Sequence, residues 1–525
     1  AWNFVVWGLL NAFFILLAEE FKPVSQRFRA KHERLVSGFG YRVFETLRTF
    51  LLMCSLRVLD CYRDVEVSFR ALGTVFTDFN WGEAFSGALL QLGLTGADYI
   101  IAAVGVVIMF AVSCVQEKHG SVREVLWEKP VLCYAVFFVL AVAVLTFGAY
   151  GVGYDAAQFL RKQMSKKSNK KLHIICLAAF AVLLCAAIWL LGRICQPKYM
   201  SGVLEGAMTQ EYYNEENPHD VIFVGDCEVY ENFSPVTMWE EHGITSYIRG
   251  SAQQLIWQSY YLLEEVFERE SPKVVVYNVQ SMKYDTPQSE AYNRMTLDGM
   301  PLSKHKIDAI KASMTEDEDM VSYLIPFLRY HSRWSELTDE DFEYAFRRDP
   351  VTIAGYLMRA DVEPMTKLPT APVLDDYTIG DTCWEYLDKM QKLCDANGAT
   401  LVLIKSPSLW PHWYDQWDEQ ISDYAAEHGL DYINLLNVSD DIGIDMQTDT
   451  YDAGLHLNIY GAEKLSRYFT EILAGRYGVP DRRDDETVSA DWENKCKAYY
   501  ELLAAQNAEL EEYGYLKSWT LGDEK

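Results

Sequence analysis

The sequence predicts two unlike parts in one chain: an α-helical membrane segment, then an α/β domain whose parallel sheet carries helices on both faces. Three observations lead there. Residues 1–195 hold several long apolar runs. From residue 221 to 475, short β-favouring apolar stretches alternate with helical ones, the pattern of a parallel sheet. The net charge of −28 over 525 residues falls mainly on the second part. Such an acidic chain is a poor partner for nucleic acid. It suits a domain that handles neutral or cationic ligands.

The apolar runs are Trp2–Ala18, Phe44–Leu59, Tyr99–Val115, Val131–Tyr150 and Leu172–Leu191. About 20 apolar residues match a hydrocarbon core of ~30 Å, and four or five membrane helices are expected. Residues 20–43 read as a basic loop with Lys22, Arg27, Arg29, Lys31, Arg34 and Arg42. Lys162, Lys166, Lys167, Lys170 and Lys171 precede the last run, which places that loop in the cytoplasm and everything after Gly192 outside. The basic loop at 117–129 conflicts with this if each run crosses once, so one run is re-entrant or one loop breaks the rule. The chain opens at Ala1 inside an apolar run and reads as a piece of a longer protein, with no signal peptide visible.

Residues 196–220 form a polar linker. The predicted strands are 221–225, 245–248, 273–279, 400–404 and 431–435. The predicted helices are 235–242, 251–268, 380–397, 413–428 and 459–475. Residues 280–378 break the alternation with charged helical stretches and read as an insertion over the active edge. Residues 481–525 form an acidic helical tail, packed on the surface. Of the 11 cysteines, Cys54, Cys114, Cys133, Cys176 and Cys185 lie in apolar runs, where Cys acts as a small hydrophobe. Cys383 and Cys394 share a predicted helix, about 16 Å apart, too far to bond. No Cys-x-x-Cys pair suggests a metal, and no cofactor is expected.

Two stretches carry chemistry. Val221-Ile-Phe-Val-Gly-Asp-Cys-Glu-Val-Tyr230 is a buried strand running into a glycine turn that presents Asp226 and Cys227 at the carboxyl edge of the sheet. The bland reading is a strand and an ordinary polar turn. Asp452-Ala-Gly-Leu-His-Leu-Asn458 supplies a base, His456, and an acid four residues earlier, which would be its neighbour if that turn is helical. A thiol attacks a carbonyl only if a base takes its proton or its pKa is lowered. His456 is the candidate base, Asp452 the group that orients it, and Asp449 a second candidate for that role.

Together these stretches resemble the first and last signature blocks of the SGNH (GDSL-type) hydrolase and acyltransferase superfamily, over roughly Asp220–Gly478. The resemblance implies a three-layer, flavodoxin-like domain with the nucleophile at Cys227, where the family keeps Ser. It also implies oxyanion or substrate-binding roles for Cys227 N–H, Gly250 and Asn278 beside Asp226. Two departures stand out: Cys replaces Ser, and Asp452 lies four residues before His456 instead of three. Tyr277-Asn-Val-Gln280 also lacks the family's Gly-x-Asn-Asp form. Lys405-Ser-Pro-Ser408 ends a strand on the same edge and reads as a turn that touches substrate at most.

Ala1-Trp-Asn-Phe-Val-Val-Trp-Gly8 and Gly148-Ala-Tyr-Gly-Val-Gly-Tyr-Asp155 resemble the C-terminal part of the membrane-bound O-acyltransferase family, of the alginate-acetylating and teichoic-acid-alanylating type. The resemblance covers about 1–160. It implies a catalytic His upstream of Ala1, so that this membrane half is inactive by itself. The bland alternative is an unrelated membrane anchor. The joint expectation is a multi-pass cell-envelope O-acyltransferase with an extracytoplasmic C-terminal domain. Its partners would be an acyl donor, membrane lipid, and a surface polysaccharide or teichoic-acid-like acceptor. The alternatives are an esterase that removes such groups, and a non-catalytic, membrane-anchored glycan-binding or scaffolding module.

Overall fold

The structure is a computed structural model that describes residues 2–61, 65–77, 96–119, 126–127, 129–147, 170–196, 205–347 and 349–519. The Gly148–Asp155 motif and Lys162, Lys166 and Lys167 lie outside the described residues. The chain divides into two compact units, Ala1–Cys114 and Val115–Lys525.

The second unit is built on five parallel strands: β1 (Val221–Gly225), β2 (Ser246–Gly250), β3 (Val274–Asn278), β4 (Thr400–Lys405) and β5 (Asp431–Asn434). Their order is β2-β1-β3-β4-β5. The chain steps outward from β1 to β2, then crosses back to β3 on the other side of β1. That reversal makes the carboxyl ends of β1 and β3 the switch point of the sheet, the place where ligands of open α/β sheets bind.

Both faces of the sheet are covered, so the strands read as unbroken apolar runs. Phe223, Val276 and Val402 pack on one face with Ala462, Leu465 and Phe469 of the helix Ile459–Gly475. Ile222, Val275 and Leu403 face the other way, toward Leu263, Leu387 and Ile421 of the helices Ile256–Arg269, Asp381–Asn397 and Asp415–His428. Each of the Val, Ile, Leu and Phe side chains contributes about 1.5–3 kcal/mol by leaving water.

Three boundaries differ from the sequence reading for local reasons. The helix expected at 251–268 begins at Ile256, because Gln254 Nε2 donates to Arg249 O (3.0 Å) and Ser259 Oγ (2.9 Å) and holds 251–255 as a turn. The tail helix Glu486–Tyr513 is acidic but not merely superficial. Trp492 stacks on Trp239 with ring centroids 5.3 Å apart, and Gln506 brackets the backbone at Met358 O and Ala360 N. The basic stretch after the first apolar run is not a loop up to Lys31. It continues the helix Trp2–Lys31, since Ala, Glu, Gln, Lys and Arg are good helix formers and Lys22 pairs with Glu19 one turn back.

The apolar part forms the helices Trp2–Lys31, Phe39–Cys61, Val65–Thr77, Gly96–His119, Pro130–Phe147 and Lys170–Cys195. Val65–Thr77 was not anticipated. Among the described residues two stretches are long and apolar enough to cross a membrane, Tyr99–Gln116 and Ile174–Cys195; Pro130–Ala143 is a shorter apolar stretch. Neither of the two long stretches buries any of its apolar window within the chain.

The 280–378 insertion has two characters. Its helical portion, Glu290–Phe346, packs on the helix Ile256–Arg269 and on the end of the helix Lys170–Cys195. Its extended portion laces the sheet edge to the turn that carries His456. Ile248 N donates to Ala354 O (3.0 Å), Leu357 N to Tyr230 O (2.8 Å), and Ile459 N to Arg359 O (2.7 Å).

Candidate active site

Cys227 opens the short helix Cys227–Tyr230 directly after β1. The turn needs glycine at 225: its φ of +152° suits no other residue well, and a Cβ there would come 3.0 Å from Asn278 Cβ and 3.3 Å from Val229 Cγ1. Asp226 caps the short helix by accepting from Glu228 N (3.3 Å). Burial, then the Glu228 carboxylate, pushes Asp226 up to about 6.

The His456 turn meets this edge from the far end of the domain. It is not helical: Ala453 and Gly454 have φ of +58° and +94° and fold the chain back on itself. That geometry lets one Asp452 carboxylate take both the His456 backbone N–H (2.8 Å) and ring Nδ1 (2.6 Å). With Nδ1 donating to Asp452, the neutral ring presents Nε2 as its acceptor. Nε2 is buried with no hydrogen bond of good geometry. The Cys227 thiol interacts with this imidazole. A loose nucleophile–base contact of this kind is usual without substrate.

A second carboxylate lies on the same ring. Glu231 sits one helical turn beyond Cys227, 3.4 Å from His456 Nδ1, and accepts from the Tyr451 hydroxyl. Burial pushes Glu231 up to about 7, and the imidazole beside it opposes that. Burial alone would lower the His456 pKa. The Glu231 carboxylate, the Cys227 thiol and the Asp452 hydrogen bond outweigh it and hold the ring well above its ordinary range. Burial pushes the thiol up to about 11, with His456 pulling the other way. The resting pair is therefore a neutral thiol beside an imidazolium, one proton away from a reactive state.

Behind Cys227 lies a closed polar network. Lys405 Nζ donates to both Glu228 oxygens (3.1 and 2.9 Å) and to Ser406 O (2.6 Å). Asn278 Nδ2 donates to Asp226 Oδ1 and Glu228 Oε2, both 3.0 Å, while its carbonyl accepts from Ser406 N (3.1 Å). Asn232 joins the two halves of the site: Nδ2 donates to Ser406 Oγ (2.8 Å) and Oδ1 accepts from Leu457 N (2.8 Å). A buried ion pair holds only when its remaining lone pairs and protons are met, and here they are.

Several expectations change at this point. Asn278 is not free to hold an oxyanion, because both amide hydrogens are spent on carboxylates; it organises the turn from below. Asp226 is a helix cap and a partner of Asn278, not a group facing substrate. Gly250 is paired with Gly225 across β2 and β1 and gives room to the nucleophile helix, since a Cβ there would come 2.9 Å from Val229 Cγ2. Asp449 bonds Lys464 (2.7 Å) and Asp445 N (2.8 Å), leaving His456 to Asp452. Lys405 is no surface turn residue but the buried counter-ion of Glu228.

Glu231, Tyr451 and Lys283 were not anticipated. Glu231 had a signal, its four-residue spacing from Cys227 on one turn. Lys283 follows β3 on the same edge. Burial lowers its pKa, and Asp226, Glu228 and Cys227 all act on it electrostatically. Among the described residues no group of three His, Cys, Asp or Glu side chains gathers as a metal site. Comparison with protein-family models, with curated proteins and with solved structures finds no match for this chain.

Proposed function

We propose that the chain is a cell-envelope O-acyltransferase component whose C-terminal SGNH-like domain carries acyl groups on Cys227. The observation that supports it most is the meeting of the Cys227 turn and the Asp452–His456 turn, distant in sequence, at the carboxyl edge of a parallel sheet in the 2-1-3-4-5 order of flavodoxin-like domains.

The chemistry is two displacements. Once the resting imidazolium has lost its extra proton to solvent, neutral His456 takes the thiol proton and Cys227 Sγ attacks the acyl carbon of a donor ester. The tetrahedral oxyanion collapses, expelling the donor alkoxide, which takes the proton from His456. A thioester remains on Cys227. An acceptor hydroxyl, deprotonated by the same ring, then attacks the thioester, and the thiolate leaves and is reprotonated. Asp452 keeps Nδ1 protonated throughout. Lys283, which acts electrostatically on Cys227, is the cation assigned here to the developing oxyanion, now that Asn278 is committed elsewhere. With water as the acceptor the same cycle is an esterase.

The location follows from charge and hydropathy. The unburied apolar helix Ile174–Cys195 spans the bilayer, the basic residues before it stay in the cytoplasm, and the sheet domain lies outside with a polysaccharide or teichoic-acid-like acceptor. A membrane-impermeant amine label on intact cells then reaches the sheet domain; labelling only after lysis contradicts this topology.

A binding-only module is the second reading, favoured by two observations: the thiol is pushed up to about 11, and the Asn278 amide has no free donor. Trapping an acyl adduct on Cys227 separates the two. Dependence on an acceptor hydroxyl separates transferase from esterase.

A further inference from the structure

The last apolar helix does not run out into a free linker. Its Gly192 faces Phe327: a Cβ added at Gly192 would meet Phe327 Cβ at 3.7 Å. Arg193 Nε donates to Ala345 O (2.7 Å), and Arg333 donates to Cys195 O (2.8 Å). The apolar helix Pro130–Phe147 reaches the same place, packing on the helix Lys170–Cys195 and on the short helical turn His331–Ser335. The helical portion of the insertion is thus fastened at the level where two apolar helices end.

At that level the insertion turns large apolar side chains outward. Phe346 is 75 % exposed, Phe342 and Val321 48 % each, and Leu324 and Ile325 are also exposed. Phe346 adjoins Ala345, whose carbonyl holds Arg193, while Leu324 and Ile325 precede Phe327, which covers Gly192. Scattered apolar residues on a surface mean little, but a group gathered around one anchor point marks an interaction surface.

We propose that Met320–Phe346 seats in the interfacial layer of the bilayer that Ile174–Cys195 crosses, with phospholipid as its occupant. The argument is continuity. The apolar helix running on from this patch has no buried residue in its spanning window and leaves much of its apolar surface open, so the same solvent bathes both surfaces. Arg193 over the Trp189 ring, at 5.2 Å, marks the head-group level, where aromatic and basic side chains concentrate. The consequence is a catalytic edge held at fixed height and tilt above the membrane instead of swinging on a linker. The inference rests on the membrane reading above.

The test uses the full chain reconstituted in phosphatidylglycerol–phosphatidylcholine vesicles. A photoreactive benzoylphenylalanine replaces Phe346, Phe342, Val182 or Tyr513 in separate variants, and intact mass is read after irradiation. Val182, 68 % exposed on the apolar helix, reports the membrane reading itself, and Tyr513 on the tail helix reports background. The expected result is a one-phospholipid adduct at 346, 342 and 182 and none at 513. Adducts at 182 without any at 346 or 342, or cross-links from 346 to protein, overturn the inference and leave the membrane reading standing. No lipid adduct at 182 overturns both.

Discussion

The two sides of the Cys227 turn are built on opposite principles. Behind Cys227, the Glu228–Lys405–Asn278–Ser406–Asn232 network is buried and each charge has its partner. In front of it, His456 has two carboxylates on one nitrogen and no good hydrogen bond on the other. A paired network has one stable arrangement and fixes geometry. An under-satisfied group keeps a choice of proton position, which is what a base needs. The difference teaches that acidic and basic residues at one sheet edge do not all suit chemistry: those behind are arranged to hold the turn, and only those in front keep the freedom that proton exchange requires.

Substitutions separate the two sides. The largest effect is expected in front: His456→Ala slows acyl-adduct formation by roughly 10²–10⁴-fold, the worth of a positioned base. Behind, Lys405→Met leaves a buried carboxylate without its counter-ion and costs about 3–5 kcal/mol of stability, read as a lower denaturant midpoint. Unchanged stability there would mean that the network is not what holds the turn. Asn278→Ala is milder, about 1–3 kcal/mol for leaving buried acceptors unmet. If Asn278 instead served as an oxyanion donor, the adduct rate would fall and the stability would not.

The smallest effect is the most informative about the front side. The reactive state has one proton fewer than the resting imidazolium–thiol pair, so alkylation of Cys227 by iodoacetamide should accelerate as pH rises. The inflection should lie above the ordinary range of His and below about 11, between the raised imidazole and the raised thiol. Glu231→Gln removes the strongest influence that raises the imidazole, so the inflection should move to lower pH, by roughly one unit for a charge at this range. A profile that does not move would make Glu231 a packing residue only.

Much of this was legible in the sequence, for physical reasons. Strands β1, β3 and β4 are buried on both faces and bounded by turns, so their apolar runs were unambiguous. The Gly225 turn could be read because backbone geometry demands glycine there; the Asp452–His456 pairing was read from a spacing that suits a helical turn, and the chain makes it instead through the left-handed Ala453 and Gly454. The polar network could not, because nothing local distinguishes Lys405 from a surface lysine; its role comes from Glu228, which reaches it only once β1 and β4 flank β3. The same holds for Asn278, a strand-end residue whose three bonds all cross to other strands or turns. The insertion hid its extended half, where isolated backbone bonds from Ala354 to Arg359 leave no periodic trace.

The central claim is that Cys227 is a nucleophile served by His456. It is tested by intact mass and peptide mapping of the full chain after exposure to an activated acyl ester at mildly alkaline pH. An adduct mapping to Cys227 is expected in the wild type. It should be absent at that peptide in Cys227→Ala, retained in part as an oxygen ester in Cys227→Ser, and slowed in His456→Ala. No adduct on Cys227 in the wild type, or the same total acylation in Cys227→Ala, would contradict the account and leave the domain a binding module.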